Sequence, residues 1–428
     1  MNTNQLKLTS LLALAATMPV FSQDVLQRFD PCDDHYDHYD FNTLIGPSEW
    51  EIEYERDYVC EVGPESGVTT ATANRMAGLT ATRVNTRDVG DRLFRKRAGV
   101  PNHSTTTTTP APAPVSAKGG MAKGGMAKEP IVVTTPAKWE IYGGLFGYTE
   151  DSDPQFVLIR PAVPPGQTAP PPAPIQVLTA GDTEFNLWGG HVGIERRINN
   201  NFSFGLAFSG SEGEAESSIF GTRLSTTDVT SLSLIPYISY YRDNAVFGAD
   251  YWADLMYAYT DQSYDIQRNN FGLLAGGSPD GSTHTVDFNT GLTFRGTRIS
   301  HGPYAGIRWI DGEIDGYQEF GPGGGALFPS QDIESLATTL GYSVSGNFAG
   351  GGGTWVPQLR AAWEHEFEDN TGNVFGFPLG TVDEDLAVLG AGIGYYANSG
   401  WNAVLDYEAR LGSEVQGHYV GLKVGKEF

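Results

Sequence analysis

The chain has 428 residues, enough for two or more domains, so length alone excludes little. Fifty-one Asp and Glu against 27 Lys and Arg give a formal charge of -24, a field that repels phosphate backbones and excludes nucleic acid as a partner. Glycine is abundant (54) and aromatics reach 12%, while mean hydropathy is only -0.27, which suits short aromatic-rich strands better than apolar membrane helices.

In chain order an export signal comes first. Lys7 lies in a short polar start, an apolar run extends from Leu8 to Phe21, and small Ser22 precedes the expected cut, so residues 1–22 read as a signal peptide. That run is too short to span a bilayer as a helix, and no other stretch reaches about 18 apolar residues, so no transmembrane helix is expected. Residues 23–68 follow as a short acidic region, too small to bury a sizeable core alone. It holds both cysteines, Cys32 and Cys60, which in an exported chain read as one disulfide rather than metal ligands. His35 and His38 among Asp33, Asp34, Asp37 and Asp40 have metal-ligand chemistry, but runs of this kind are usually only solvated. No metal or cofactor is expected.

Residues 69–98 turn basic: Arg75, Arg83, Arg87, Arg92, Arg95, Lys96 and Arg97 face only Asp88 and Asp91. Val89 and Leu93 sit about one turn apart, which predicts a basic helix. Residues 99–137, with a threonine run, Pro-Ala alternation and a repeated Lys-Gly-Gly-Met-Ala, cannot pack a core and read as a linker.

From residue 138 a period-two grammar takes over. In Trp401 to Leu411 the positions Trp401, Ala403, Leu405, Tyr407, Ala409 and Leu411 share one face, and Asn402, Asp406, Glu408 and Arg410 the other. Twelve such segments begin near 139–149, 183–198, 202–210 and 227–241, and continue near 245–260, 283–296, 301–315, 333–346, 354–368, 384–397, 400–412 and 416–428. Joints after even segments are short and polar (Asn199-Asn200-Asn201, Arg242-Asp243-Asn244, Asn398-Ser399-Gly400). Those after odd ones are mostly long. Short periplasmic turns, long external loops and an even strand count predict an all-β fold, a twelve-stranded antiparallel transmembrane β-barrel over 138–428 with both ends on the periplasmic side. Such a barrel places the chain in the outer membrane of a Gram-negative bacterium. Phe428 ends the last segment behind the alternating lipid-side Val420, Leu422 and Val424, the pattern of a barrel assembly signal, with Lys426 snorkelling at the interface.

Several ordered pieces carry a family resemblance. They are Trp139-Glu140-Ile141-Tyr142-Gly143-Gly144, Pro236-Tyr237-Ile238-Ser239-Tyr240, and Gly302-Pro303-Tyr304-Ala305-Gly306-Ile307-Arg308. After these come Glu334-Ser335-Leu336 with Leu340-Gly341, the run from Pro357 to Phe367, and Asp406-Tyr407-Glu408. Together they make 139–428 resemble the autotransporter β-domain, the translocator of type V secretion. The resemblance implies a lumen crossed by a helix joined to an upstream passenger, which the barrel anchors and helps display or secrete at the cell surface. It also implies outer-membrane lipid, the barrel assembly machinery, the export translocon and periplasmic chaperones as partners, and a monomeric barrel. The plug candidate is the basic helix, about Asn74 to Arg97, with Arg83, Arg87, Arg92 and Arg95 drawn to the lumen-side acids Asp254, Glu364, Glu366, Asp406 and Glu408. In the family the helix runs almost directly into the first strand, whereas here some 40 residues intervene, so Ile131 to Lys138 is a second candidate for lining the pore.

Two catalytic readings were weighed against blander ones. Glu364, His365 and Glu366 have acid-base chemistry, but alternation puts His365 on the lipid side and both glutamates in the lumen, which disfavours a direct pair. Some members of the family cut their own passenger through a helix asparagine, for which Asn74 and Asn85 are the candidates. The expected function is non-enzymatic, with no catalytic residue assigned. Arg308, Arg360 and Arg410 are expected to pair with the lumen acids across strands and fill the interior. Gly390, Gly392 and Gly394 on the lumen face would let a plug approach closely or relieve crowding. The alternative functional reading is a standalone structural or pore-forming barrel with a periplasmic N-terminal region.

Overall fold

The structure is a computed structural model that describes residues 65–98, 139–159, 175–219, 221–270, 272–368, 373–374, 377–380 and 383–428. Cys32, Cys60, the His35/His38 cluster, the signal segment, Ile131 to Lys138 and the linker lie outside the described residues.

Twelve long strands follow in chain order. They are β1 (Trp139–Ser152), β2 (Asp182–Arg197), β3 (Phe202–Ile219), β4 (Thr222–Val246), β5 (Ala249–Asn270) and β6 (Asp280–Arg295), then β7 (Ile299–Ile314), β8 (Gln331–Gly346), β9 (Gly353–Glu366), β10 (Asp385–Ala397), β11 (Trp401–Leu411) and β12 (Val415–Glu427). Each pairs antiparallel with its chain neighbours, and β1 pairs β12 along its full length, from Glu140↔Glu427 to Ser152↔Val415, so the sheet closes on itself. Closure leaves no unpaired edge facing lipid. Two short strands, Leu273–Gly277 and Phe348–Gly350, add to β5 and β9, and three small hairpins fold within the long loops.

Every expected strand is present, with one joint displaced: β4 continues through the expected turn Arg242-Asp243-Asn244 with a shift of register, and the chain turns at Phe247-Gly248 instead. Trp401, Leu405, Val420, Leu422, Val424 and Phe428 are exposed, whereas Asp406, Glu408 and Arg410 are buried. The strands run further at one end than the hydrophobic pattern indicates: β3 continues to Ile219 and β5 to Asn270. Beyond the apolar band the outward positions become acidic and the alternation that marks lipid contact is lost, while backbone pairing continues. There carboxylates meet in direct register, Glu184↔Glu216, Glu214↔Asp228↔Asp265 and Asp311↔Glu334.

Inside the barrel runs α1 (Glu65–Ala98), which starts ahead of the composition change at residue 69. Its sequence contains no proline, and the residues that follow, Gly99-Val100-Pro101, oppose continuation. Arg95, Lys96 and Arg97 in the last turn complement the helix dipole. The helix carries no apolar stripe, and Thr69, Thr70, Thr72, Thr80, Thr82 and Thr86 lower its intrinsic propensity. Its order therefore depends on burial: nearly every described residue from Ser66 to Arg97 is enclosed by strands.

Candidate functional site

The lumen is the site, and the helix crosses it from mouth to mouth. At the loop end Arg268 donates to Ser66 Oγ (2.7 Å) while forming a two-pronged bridge to Glu319 (2.7 and 2.7 Å), and Thr72 Oγ1 bonds Thr179 O at 2.8 Å. The stacked rings of Tyr317 and Phe328 cover the same mouth. At the turn end Arg92 reaches Glu140 (2.7 Å) and Glu195 (2.9 Å), and Arg97 donates to Ser203 and Ser239 at 2.7 and 2.8 Å. α1 therefore runs from the long-loop mouth toward the short-turn mouth, where β1 begins.

Along one side α1 packs closely on β3, β4 and β5, where hydroxyl side chains of β3 and β4 are joined by the larger Ile235, Met256 and Gln262. Asn85 donates to Ser231 (2.9 Å) and accepts from Ser209 (3.0 Å), Asn74 accepts from Thr227 (2.6 Å), and Gln262 donates to Gly78 O (2.8 Å). Val89 and Leu93 fill the gaps between Ala207, Ile235, Met256 and Ala258. Strand hydroxyls satisfy helix amides while leaving room for the backbone.

The opposite side is charged, and signs alternate between helix and wall. Arg83 meets Glu366 at 2.8 Å, and Arg87 meets Glu408. Arg360 forms a two-pronged pair with Asp91 (2.6 and 3.0 Å) and also reaches Glu408. Arg95 lies 3.6 Å from Asp406 and donates to Gln358 at 3.0 Å. Asp88 is held by His191, Tyr419 and Lys423, the last at 2.9 Å. Between strands, Arg410 pairs Glu364 (2.5 Å), Arg308 pairs Asp287 (3.0 Å) and Lys423 pairs Asp406 (3.1 Å). Asp254 takes a hydrogen bond from Ser239. With both partners buried, breaking one pair strands a charge in a low-dielectric interior, so the array fixes the register of the helix.

The structure thus brings the four helix arginines together with lumen acids and places Arg308, Arg360 and Arg410 in opposed pairs. Gly392 lies against the Arg95 guanidinium and Gly390 against Arg360, where a Cβ would collide. Asn85 spends both carboxamide atoms on strand hydroxyls, Asn74 accepts from Thr227 through its oxygen while its Nδ2 finds no acceptor, and the hydrogen bonds described for them involve no carboxylate. Glu364 and Glu366 face the lumen, while His365 pairs on the outer surface with Asp385 of β10 at 2.9 Å. Lys426 bonds Ser399 O and lies 5.4 Å from the Trp401 ring centre, as a snorkelling lysine does. Among the participants that escaped the sequence reading as site residues are Glu140, Glu195, His191, Asp287, Gln358, Tyr419 and Lys423. Their signal was parity, since each polar side chain sits on a lumen-side position of an alternating strand.

A family model described as the autotransporter beta-domain matches residues 179–408. Among solved structures, the translocator domain of autotransporter NalP from Neisseria meningitidis is similar at 14% identity and a TM-score of 0.53, covering 67% of this chain and 88% of that one. The transport unit of the autotransporter AIDA-I from Escherichia coli aligns at 11% identity and 0.48, covering 71% and 93%. The beta domain of the Bordetella autotransporter Brka aligns at 15% and 0.46, covering 66% and 98%. No curated protein matches the chain in sequence.

Proposed function

Because the chain belongs to the autotransporter β-domain family and is an outer-membrane translocator barrel, we propose that it anchors and displays its own short N-terminal region, residues 23–64, with α1 as the lumen plug. The observation that carries this reading is the direction of α1. Its first turn sits at the long-loop mouth beside Arg268 and Glu319, so the N-terminal end of the helix faces the outer side. A standalone barrel with a periplasmic N-terminal region would need that end at the other mouth.

The displayed region stays joined to its anchor. In support, Asn85 is engaged at both carboxamide atoms by Ser209 and Ser231, Asn74 is held through its oxygen by Thr227, and no carboxylate is among the hydrogen bonds described for either. Self-cleavage needs a carboxamide free to attack its own backbone carbonyl with an acid in reach. The mature chain is therefore expected at full length in purified outer membranes, and a fragment starting near 75 or 86 would contradict it. The barrel has no catalytic role in this reading. Most of its lumen carboxylates are paired with arginine or lysine side chains. The barrel assembly machinery recognises the last strand through Val420, Leu422, Val424 and Phe428, after delivery by the export translocon and periplasmic chaperones, and the barrel works as a monomer.

Protease treatment of intact cells carrying an epitope just after residue 23 tests display, with a periplasmic protein as leakage control. Loss of the epitope with the control intact is expected. Survival of the epitope until the outer membrane is opened would make the N-terminal region periplasmic.

A further inference from the structure

At the turn mouth a cavity of about 80 Å³ lies between the last turns of α1 and the ends of β10 to β12, reaching the turn residues Ala397 and Gly400. Five cations line it, Arg92, Arg95, Lys96, Arg197 and Lys423, against the carboxylates Glu140 and Glu427. Most of these charges are already matched. Glu140 is held by Arg92 at 2.7 Å and by Lys96, Glu427 lies 3.9 Å from Lys96, and Lys423 is bound to Asp88 and Asp406 at 2.9 and 3.1 Å. Two cations remain. Arg197, half-buried at the rim, is paired with no carboxylate among the described residues.

Arg95 is the second, and it is only 5% exposed. Its Nη1 donates to Gln358 Oε1 at 3.0 Å, while Nε and Nη2 find no hydrogen-bond acceptor among the described residues. Asp406 stands 3.6 Å from Nη2, beyond a hydrogen bond, and serves Lys423. Gly392 lies against the guanidinium where a Cβ would collide, so the Gln358 bond and the bare backbone together fix how the group is turned. The edge left over, Nε beside Nη2, is the fork that takes two oxygens of one oxyanion side by side. Water can supply an oxygen there but no charge, and a buried cation is costly until an anion matches it. Tyr396 lines the same cavity, so its hydroxyl and the Arg197 guanidinium add donors beside the fork. That donor number exceeds what the two oxygens of a carboxylate use and suits a phosphate.

We propose that this cavity binds a small phosphate-type oxyanion at the turn mouth, gripped by the Nε–Nη2 edge of Arg95 and drawn in by Arg197. The bound anion adds a tie between the last turn of α1 and the barrel wall. Phosphate chemistry has two sources on that side of the membrane, the free ion and the headgroup of an anionic phospholipid. The inference rests on the helix occupying the lumen and not on display of residues 23–64, so epitope shaving and anion binding can fail separately.

Calorimetric titration of inorganic phosphate into the full chain, refolded without lipid in a maltoside detergent, tests it. Saturable binding of one phosphate per barrel is expected. Arg95→Lys keeps the charge but loses the fork and should weaken binding at least about tenfold. Arg197→Gln, at the rim, should weaken it about two- to fivefold. Arg223→Gln, exposed at the opposite mouth beside Glu216, should leave it unchanged. Short-chain phosphatidylglycerol added before the titration separates the two sources: loss of phosphate binding assigns the site to a headgroup, and persistence assigns it to the free ion. No saturable binding by the folded parent, or binding that Arg95→Lys leaves intact, overturns the proposal. Should Arg95→Lys not fold, as judged by heat-modifiable migration, unchanged binding by Arg197→Gln overturns it instead.

Discussion

The two halves of the lumen wall hold the same helix by different means. On β3 and β4 the inward residues Ser203, Ser209, Thr227 and Ser231 form single hydrogen bonds with the helix, while β5 adds the larger Trp252, Met256, Gln262 and Tyr264. On β9 to β12 they are Arg360, Glu364, Glu366, Asp406, Glu408, Arg410, Tyr419 and Lys423, long side chains that bridge a wider gap with paired charges. One wall therefore holds the helix by single hydrogen bonds, and charge pairing on the other decides its height and rotation. A helix with no apolar stripe can be held this way because neither means depends on one.

The comparison can be broken most drastically by removing the helix. Deleting 65–98 from the full chain should change near-silence in planar bilayers to stepwise openings, because the charged wall cannot close the lumen alone. Next in size is the charged half itself. Arg360→Ala removes one of the two cations shared by Asp91 and Glu408, leaving Arg87 as the other, and should cost about 1–3 kcal/mol in urea unfolding. Adding Asp91→Ala should recover part of that loss, which a double-mutant cycle measures. On the small-residue half, Ser231→Leu should cost about 1–3 kcal/mol by overpacking against Asn85. Thr230→Leu, on the exposed face beside it, should stay within about 0.5 kcal/mol.

The smallest expected effect lies outside the apolar band, where carboxylates meet in register. Partial burial, then repulsion from Asp265 and Glu212, pushes the Asp228 carboxyl above its usual range. A carboxyl raised on folding disfavours the folded state while ionised, and that cost is relieved as pH falls through its folded value. Asp228→Asn should therefore raise unfolding stability at pH 7 by about 0.2–1 kcal/mol, and the gain should vanish once acid protonates the parent.

The strands were legible because lipid on one side and a polar lumen on the other impose period two, as in Trp401 to Leu411. The far ends of β3 to β5 were not, since Glu212, Glu214 and Asp265 replace the apolar outward residues there while pairing persists. Charge composition revealed a basic helix suited to an acidic lumen. It could not show that the helix's two acids, Asp88 and Asp91, have lumen cations of their own in Lys423 and Arg360, because those partners lie more than two hundred residues away in sequence. Nor could it indicate which wall the helix favours, since the hydrogen-bond partners Ser209, Thr227 and Ser231 lie more than a hundred residues away in sequence.

Crosslinking in native outer membranes tests that seating most directly. With the native cysteines replaced, Asn85→Cys should join efficiently to Ser209→Cys on β3 and not to Asp406→Cys on β11. Preferential capture by residue 209 is the predicted result. Equal capture by both positions, or none by 209, would contradict a helix seated on the hydroxyl-lined wall.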